Sequence, residues 1–219
     1  MTLRSILAVT DFSSKGCHAI ARAALLCAEH RATLKLVYLA HPDEAPPPDA
    51  AVRLAQHALQ LRQRHHITVQ AATRMDLTAA DVAREAADAD LVVWGTAPPR
   101  GLAAWFRTHP AVRMLRACQR PVLVVRKAAA QPYQSLLVAV DFSQVSQRLV
   151  ELGSALQPSA RIELFHAIDT TNEGKLRYAE VSERAIRAYR EECQRFAQDR
   201  MFTLADSYDA RRNRLSSTI

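Results

Sequence analysis

Apolar residues in the first 127 positions of the chain fall into two alternating patterns. Short, nearly continuous apolar runs lie at about Ser5 to Thr10, Leu34 to Ala40, Ile67 to Ala72, Leu91 to Gly95 and Pro121 to Arg126, and each reads as a strand. Between them the spacing changes to a helical period. Cys17, Ile20, Ala21, Ala24, Leu25 and Ala28 recur at i, i+3, i+4, i+7, i+8 and i+11, one face of a helix that Ser13 or Ser14 would cap. The proline-rich PDEAPPPD precedes a helix near Ala51 to Gln63 that His65 and His66 close. Thr78 and Asp81 form a capping pair for a helix running to about Ala87, and a last helix begins near Thr108 and ends before Pro121. Continuous apolar strands alternating with helices are what a parallel sheet buried on both faces requires.

The pattern then repeats. SILAVTDFS, from Ser5, matches SLLVAVDFS, from Ser135, at an offset of 130, and ATLKLVYLAH, from Ala32, matches ARIELFHAID, from Ala160, at an offset of 128. The helix between the two strands is therefore two residues shorter in the second copy, and the chain reads as a tandem duplication. The second copy supplies a strand at Leu136 to Val140, a helix carrying Val145, Leu149, Leu152 and Leu156, and a strand at Arg161 to Ala167. A long polar helix follows from about Lys175, with Ile186, Tyr189, Cys193 and Phe196 as its packing stripe. Leu215 to Ile219 can be read as the start of a third strand, and nothing remains for a fourth or fifth. The expected organisation is a domain over 1–127, a linker over 128–133 and a partial second domain over 134–219.

Composition narrows the chemistry. With 49% hydrophobic and 23% charged residues the chain is of ordinary globular type. Its longest apolar runs, such as Leu91 to Trp94, fall far short of the ~18 residues that span a bilayer, and MTLRSILAVTDFS is too short an apolar stretch for a secretory signal, so a cytoplasmic location is expected. Cys17, Cys27, Cys118 and Cys193 form no C-x-x-C pair and are expected as reduced thiols. The 5 glycines include no G-x-G-x-x-G and no G-x-x-x-x-G-K-S/T, so the standard phosphate loops are absent. The net charge of +7 has one address: residues 100–127 hold Arg100, Arg107, Arg113, Arg116, Arg120, Arg126 and Lys127 and no acid.

VTDFS after the first strand, ADADLVVWGT at the fourth and VRMLRACQRPVLVVR at the fifth resemble the universal stress protein family in its tandem-domain form. The resemblance implies an α/β fold, a doubly wound parallel five-stranded sheet of order 3-2-1-4-5 (adenine nucleotide alpha hydrolase-like), followed here by a partial second copy. It also implies dimers through the fifth strand and a division of members into ATP binders and non-binders. Ligands of such sheets sit beyond the carboxyl ends of the strands, at the switch point between strands one and four. The binders carry glycine, two residues, glycine, nine residues, then glycine followed by Ser or Thr. Here Gly95 holds the first place, Pro98 the second, Thr108 the third and His109 that of the hydroxyl. Pro98 and Pro110 have no N–H to offer a phosphate, and any Cβ obstructs close approach.

If a nucleotide or anion binds, the resemblance and the charge pattern together assign it to Asp11, Leu39, Gly95, Thr96, Arg100, Arg107, Thr108 and His109. Asp11 can equally organise the turn into the first helix. Thr108 followed by Pro110 reads as a helix start, which Arg100, Arg107 and His109 would flank as an anion site. Trp105 and Phe106, in the same loop, can stack on a base or fill a packing contact.

No catalytic arrangement emerges, since Cys17 and His18 are adjacent on a helix and point about 100° apart. His65 and His66 have no third metal ligand spaced nearby. Three readings follow. The first is a non-catalytic cytoplasmic stress-response protein with a degenerate ATP-binding loop and no cofactor, acting through dimerisation and contacts with an unidentified protein. The second is an ATP-binding regulator in which Arg100, Arg107 and the Thr108 helix start replace the lost glycines. The third, ranked last for want of any nucleic-acid motif, is a nucleic-acid contact through the basic segment. A homodimer is expected, through the uncovered strand near Pro121 to Arg126 or through the half-domain.

Overall fold

A computed structural model of the protein describes residues 2–40, 45–95, 116–212 and 215–218. The chain forms two compact units, Thr2–Pro132 and Tyr133–Ile219. In the first, β1 (Ser5–Thr10), α1 (Ser14–His30), β2 (Thr33–Tyr38), α2 (Ala50–His65), β3 (Val69–Ala71), α3 (Ala79–Glu85), β4 (Leu91–Gly95) and β5 (Val122–Val125) follow in order. The five strands lie in the order β3-β2-β1-β4-β5, every pair parallel.

The winding follows from handedness. Parallel crossovers are right-handed, so a chain stepping from β1 to β2 to β3 lays α1 and α2 on one face, and its return to β4 brings α3 to the other. That second face is closed by Leu7, Val9, Val37 and Val92 of the sheet against Leu77, Val82, Ala86, Ala89 and Cys118. β1 is consequently buried on both sides from Ile6 to Val9.

α1 begins where expected, with Ser13 Oγ accepting from Gly16 N–H at 3.1 Å. Ile20 and Ala24 of the expected stripe are buried, together with Gly16, Ala19, Ala23, Leu26 and Cys27, whereas Ala28 is exposed and Cys17, Ala21 and Leu25 are only half-buried. Small residues let the helix sit close to the sheet, and apolar spacing alone does not register size. α1 and α2 end on residues of left-handed conformation, Arg31 at φ 54° and His66 at φ 53°, whose N–H groups return to Cys27 O and Arg62 O. Phe12, Phe142 and Glu180 share that conformation.

The second unit runs β6 (Ser135–Ala139), α4 (Gln144–Leu156), β7 (Arg161–Phe165), α5 (Thr171–Tyr178), α6 (Glu183–Arg212) and β8 (Leu215–Thr218). Its parallel strands lie in the order β6-β7-β8. The register repeats the first unit: Ser5 stands opposite Thr33 and Ser135 opposite Arg161, each strand carrying the offset of its repeat. Val138, Val140, Ile162 and Leu164 pack under Val150 of α4 and Met201 and Leu204 of α6.

Two sequence expectations are corrected here. Of the apolar positions expected to pack α4, Leu156 is buried, together with Val150, Ala155 and Ser146, but Val145 is 61% and Leu149 41% exposed. In the first unit the equivalent helix α1 packs against β4, and no described strand lies on the side of β6 away from β7. The long helix expected from Lys175 is broken after Tyr178, where Glu180 takes φ 55°, and it resumes at Glu183. In α6 the buried residues are Ile186, Ala197, Met201 and Leu204, whereas Phe196 is exposed beneath the Arg200 guanidinium.

The capping pair of α3 is present in full. Thr78 Oγ1 accepts from Asp81 N–H at 3.2 Å and Asp81 Oδ2 accepts from Thr78 N–H at 2.9 Å. Hydrogen bonds from the Thr78 hydroxyl and N–H hold the Asp81 carboxyl down at about 2 from its ordinary 3.8. Because that value is depressed on folding, its stabilisation is complete above pH 3.8 and is lost as pH falls through about 2. Thr78→Ala should cost about 1 kcal/mol in urea unfolding at neutral pH. The deficit should shrink as pH falls from 3.8 through about 2, because the wild type loses the same contribution when Asp81 is protonated.

Candidate functional site

Parallel pairing of β1 with β4, Val9 opposite Trp94, brings the carboxyl ends of both strands to one end of the sheet. This is the crevice where doubly wound sheets hold ligands. Of the candidate residues, Asp11, Leu39 and Gly95 meet there, and Thr96, Arg100, Arg107, Thr108 and His109 lie outside the described residues, as do Pro98, Trp105 and Phe106.

Each of the three described candidates has a task in the fold. Asp11 is exposed, and its Oδ1 accepts from Ser13 N–H at 2.9 Å, while Thr10 Oγ1 accepts from Phe12 N–H at 3.0 Å. Those two bonds hold Phe12 at φ 61° and deliver Ser13 to cap α1. Leu39 donates its N–H to Thr10 O at 2.9 Å and packs against the core under α3. Gly95 runs directly onto the first turn of α1: a Cβ on it would lie 1.9 Å from Lys15 O and 2.9 Å from Gly16 N. Glycine is required there by chain packing. Lys15 in turn reaches across the strand ends, its Nζ donating to Arg126 O at 2.7 Å.

Sequence reasoning missed the stack beside this turn. The Phe12 ring lies 4.8 Å from Tyr38 and 6.0 Å from His57, and the Arg53 guanidinium covers it at 4.3 Å. Burial, then the charge of Arg53, lowers the His57 pKa, which favours the neutral ring. The only signal in the chain was Arg53 and His57 at i and i+4 of α2, which share a helix face. Of the basic segment, Arg120 donates to Ala87 O and Arg116 is exposed.

The corresponding turn in the second unit is built differently. Ser146 stands where the first unit has Gly16, and its hydroxyl donates to Asp141 Oδ1 at 2.6 Å while Ser143 N–H donates to the same oxygen at 3.0 Å. Hydrogen bonds from Ser143 and Ser146 hold the Asp141 carboxyl well below the usual range. Phe142 packs on His166 at 4.2 Å, and an open groove of about 320 Å³ lies between Asp141, Val145, Leu149, Phe165 and His166.

Among the described residues no group of three or more His, Cys, Asp or Glu could hold a metal ion, and no helix is long and apolar enough to cross a membrane. All four cysteines are free, and burial pushes the Cys27 thiol up to about 12.

The sheet order, the turn at Asp11 and the close seat of Gly95 on α1 define a doubly wound α/β protein with its crevice between β1 and β4. Residues 2–126 match the universal stress protein family. The chain belongs to that family. A universal stress protein from Archaeoglobus fulgidus DSM 4304 shares 14% identity over 87% of this chain and 84% of its own, with a TM-score of 0.59. A universal stress protein solved in complex with cAMP shares 17% identity over 58% of this chain and 100% of its own, with a TM-score of 0.49. One from Lactobacillus plantarum shares 17% identity over 57% of this chain and 99% of its own, at 0.46. No curated protein matches.

Gly95→Ala should cost at least about 2 kcal/mol in urea unfolding, because the atoms it would strike are backbone and cannot swing aside. A loss below about 0.5 kcal/mol would return Gly95 to a ligand-binding explanation.

Proposed function

We propose that this chain is a non-catalytic stress-response protein of the cytoplasm with a degenerate nucleotide loop, acting through dimerisation and protein contacts. The observation that carries the reading is the packing of Gly95 on the backbone of Lys15 and Gly16. It accounts for the survival of this one motif glycine without a phosphate, while Pro98, Thr108 and His109 occupy the places of the other two and of the hydroxyl. The role of Asp11 in capping the turn supports the same reading. Tyr133–Ile219 is on this reading a partial second copy, supported by the repeated register and by an alignment to the Archaeoglobus protein that runs past Pro132. Four free thiols accord with a reducing compartment.

Titration calorimetry with ATP and Mg²⁺ tests the loop. No binding is expected up to millimolar nucleotide. Micromolar binding that falls when Arg107→Ala is combined with Asp11→Ala would instead establish the regulator that uses arginines in place of glycines.

On this reading the dimer forms through β5 rather than through the half-domain. That strand pairs only with β4 among the described residues, and Val122–Val125 carries no charge or proline to discourage an incoming edge. Light scattering should give a dimer mass for the wild-type chain and a monomer mass for Leu123→Lys.

A further inference from the structure

The outward face of α2 carries no charge over its first turns. Its exposed positions from residue 51 to residue 60 are Ala51, Val52, Ala55, Gln56, Leu59 and Gln60, with Val52 59% and Leu59 53% exposed. The helix does hold cations, but Arg53 is turned onto the Phe12 ring and Arg62 onto Val69 O. α6, which like α2 leads to the third strand of its unit, shows the ordinary alternative: Arg184, Arg187, Glu191 and Arg195 stand exposed along one outward line. Solvation alone favours such charges, and a face without them has the composition of an interface core.

Charge returns only at the two ends of this face, and with opposite sign. Asp49 precedes the first turn and makes no side-chain capping bond, and Arg64 stands in the last turn. Both are exposed, and neither is in an ion pair among the described residues. They lie about 60° apart around the helix, on one flank of the line through Val52 and Leu59. That pattern matches itself when the helix is turned end for end. A two-fold axis midway between Val52 and Leu59 sets each of these residues against the other in a second copy, brings Gln56 beside its own counterpart and places each Asp49 near an Arg64. Ala55, beside the axis, leaves room for close approach. Residues near a two-fold axis meet their own copies, so a charge there would repel itself, whereas an unlike partner imposes no such condition.

We propose that α2 docks antiparallel on α2 of a second copy of this chain. The contact is distinct from the β5 edge and does not rest on it, because α2 packs on β2 and β3, at the other end of the sheet order. One chain can therefore hold a copy at each place, and dimers joined through β5 are linked into longer assemblies as concentration rises. A single helix pair falls short of the about 1,200 Å² that stable interfaces bury, so the association is weak and forms above the concentrations at which the β5 dimer is weighed.

Disulfide trapping tests the pairing in the full chain. With Gln56→Cys the two new thiols meet across the axis, whereas with Gln63→Cys, equally exposed on the same face, they stand about 22 Å apart along the helices. Oxidation with copper phenanthroline should cross-link Gln56→Cys about tenfold or more faster than Gln63→Cys, with the wild-type chain as the blank for its own free thiols. The difference should persist when Leu123→Lys is added, whatever mass the wild-type chain has, which separates this contact from the β5 dimer. Asp49→Arg should slow the Gln56→Cys cross-link about threefold, and Arg64→Asp added to it should restore the rate, a recovery that a folding defect cannot produce. Equal rates at the two positions, no cross-link at millimolar chain, or loss of the cross-link with Leu123→Lys would each overturn the proposal. So would a charge exchange that recovers nothing.

Discussion

Right-handed crossover between parallel strands is the constraint on which both halves of this molecule depend. It fixes the side of the sheet to which each helix goes, and it makes the second helical layer contingent on the chain reversing its direction of travel across the sheet. The first unit makes that reversal between β3 and β4, and the apolar face from Leu7 to Val92 closes under α3. The described strands of the second unit do not make it. Their sheet is therefore one-sided, with a closed core around Val150 and Leu164 and an open face around Leu137.

The same reversal creates the crevice. Because β4 returns beside β1, Gly95 at its end lies against the first turn of α1, tightly enough to exclude a side chain. The glycine there serves packing whether or not anything lies in the crevice. Asp11 has a similar double character, since its hydrogen bond to Ser13 N–H belongs to the turn whether or not anything rests against its other oxygen.

Much of this architecture was legible in the residues. The strand positions of the first unit followed from short apolar runs, and β1 and β4 were placed to the residue. Thr78 with Asp81 announced its cap, and β6 and β7, around the second DFS segment, pair in a register like that of β1 and β2. Helix faces were less legible. On α1 the contact is made by Gly16, Ala19 and Ala23, whose value is smallness, and on α4 Val145 and Leu149 face outward while Val150 and Leu156 are buried. An apolar count treats both cases alike. At the site, the stack of Tyr38, Phe12, His57 and Arg53 joins three segments distant in sequence, so no local spacing could reveal it. The break at Glu180 was hidden for a related reason: the segment around it is polar and helical in composition, and only the backbone records the left-handed residue.

Those left-handed residues have a further meaning. Arg31, His66 and Glu180 occupy helix ends where most chains place glycine, and they do so in a protein with only 5 glycines in 219 residues. Each adds conformational strain to the folded state, yet each also narrows the ensemble from which folding starts, since a residue with a Cβ samples fewer backbone states than glycine. The strain exceeds that gain, so these three helix ends hold the folded chain below the stability that glycine would give it.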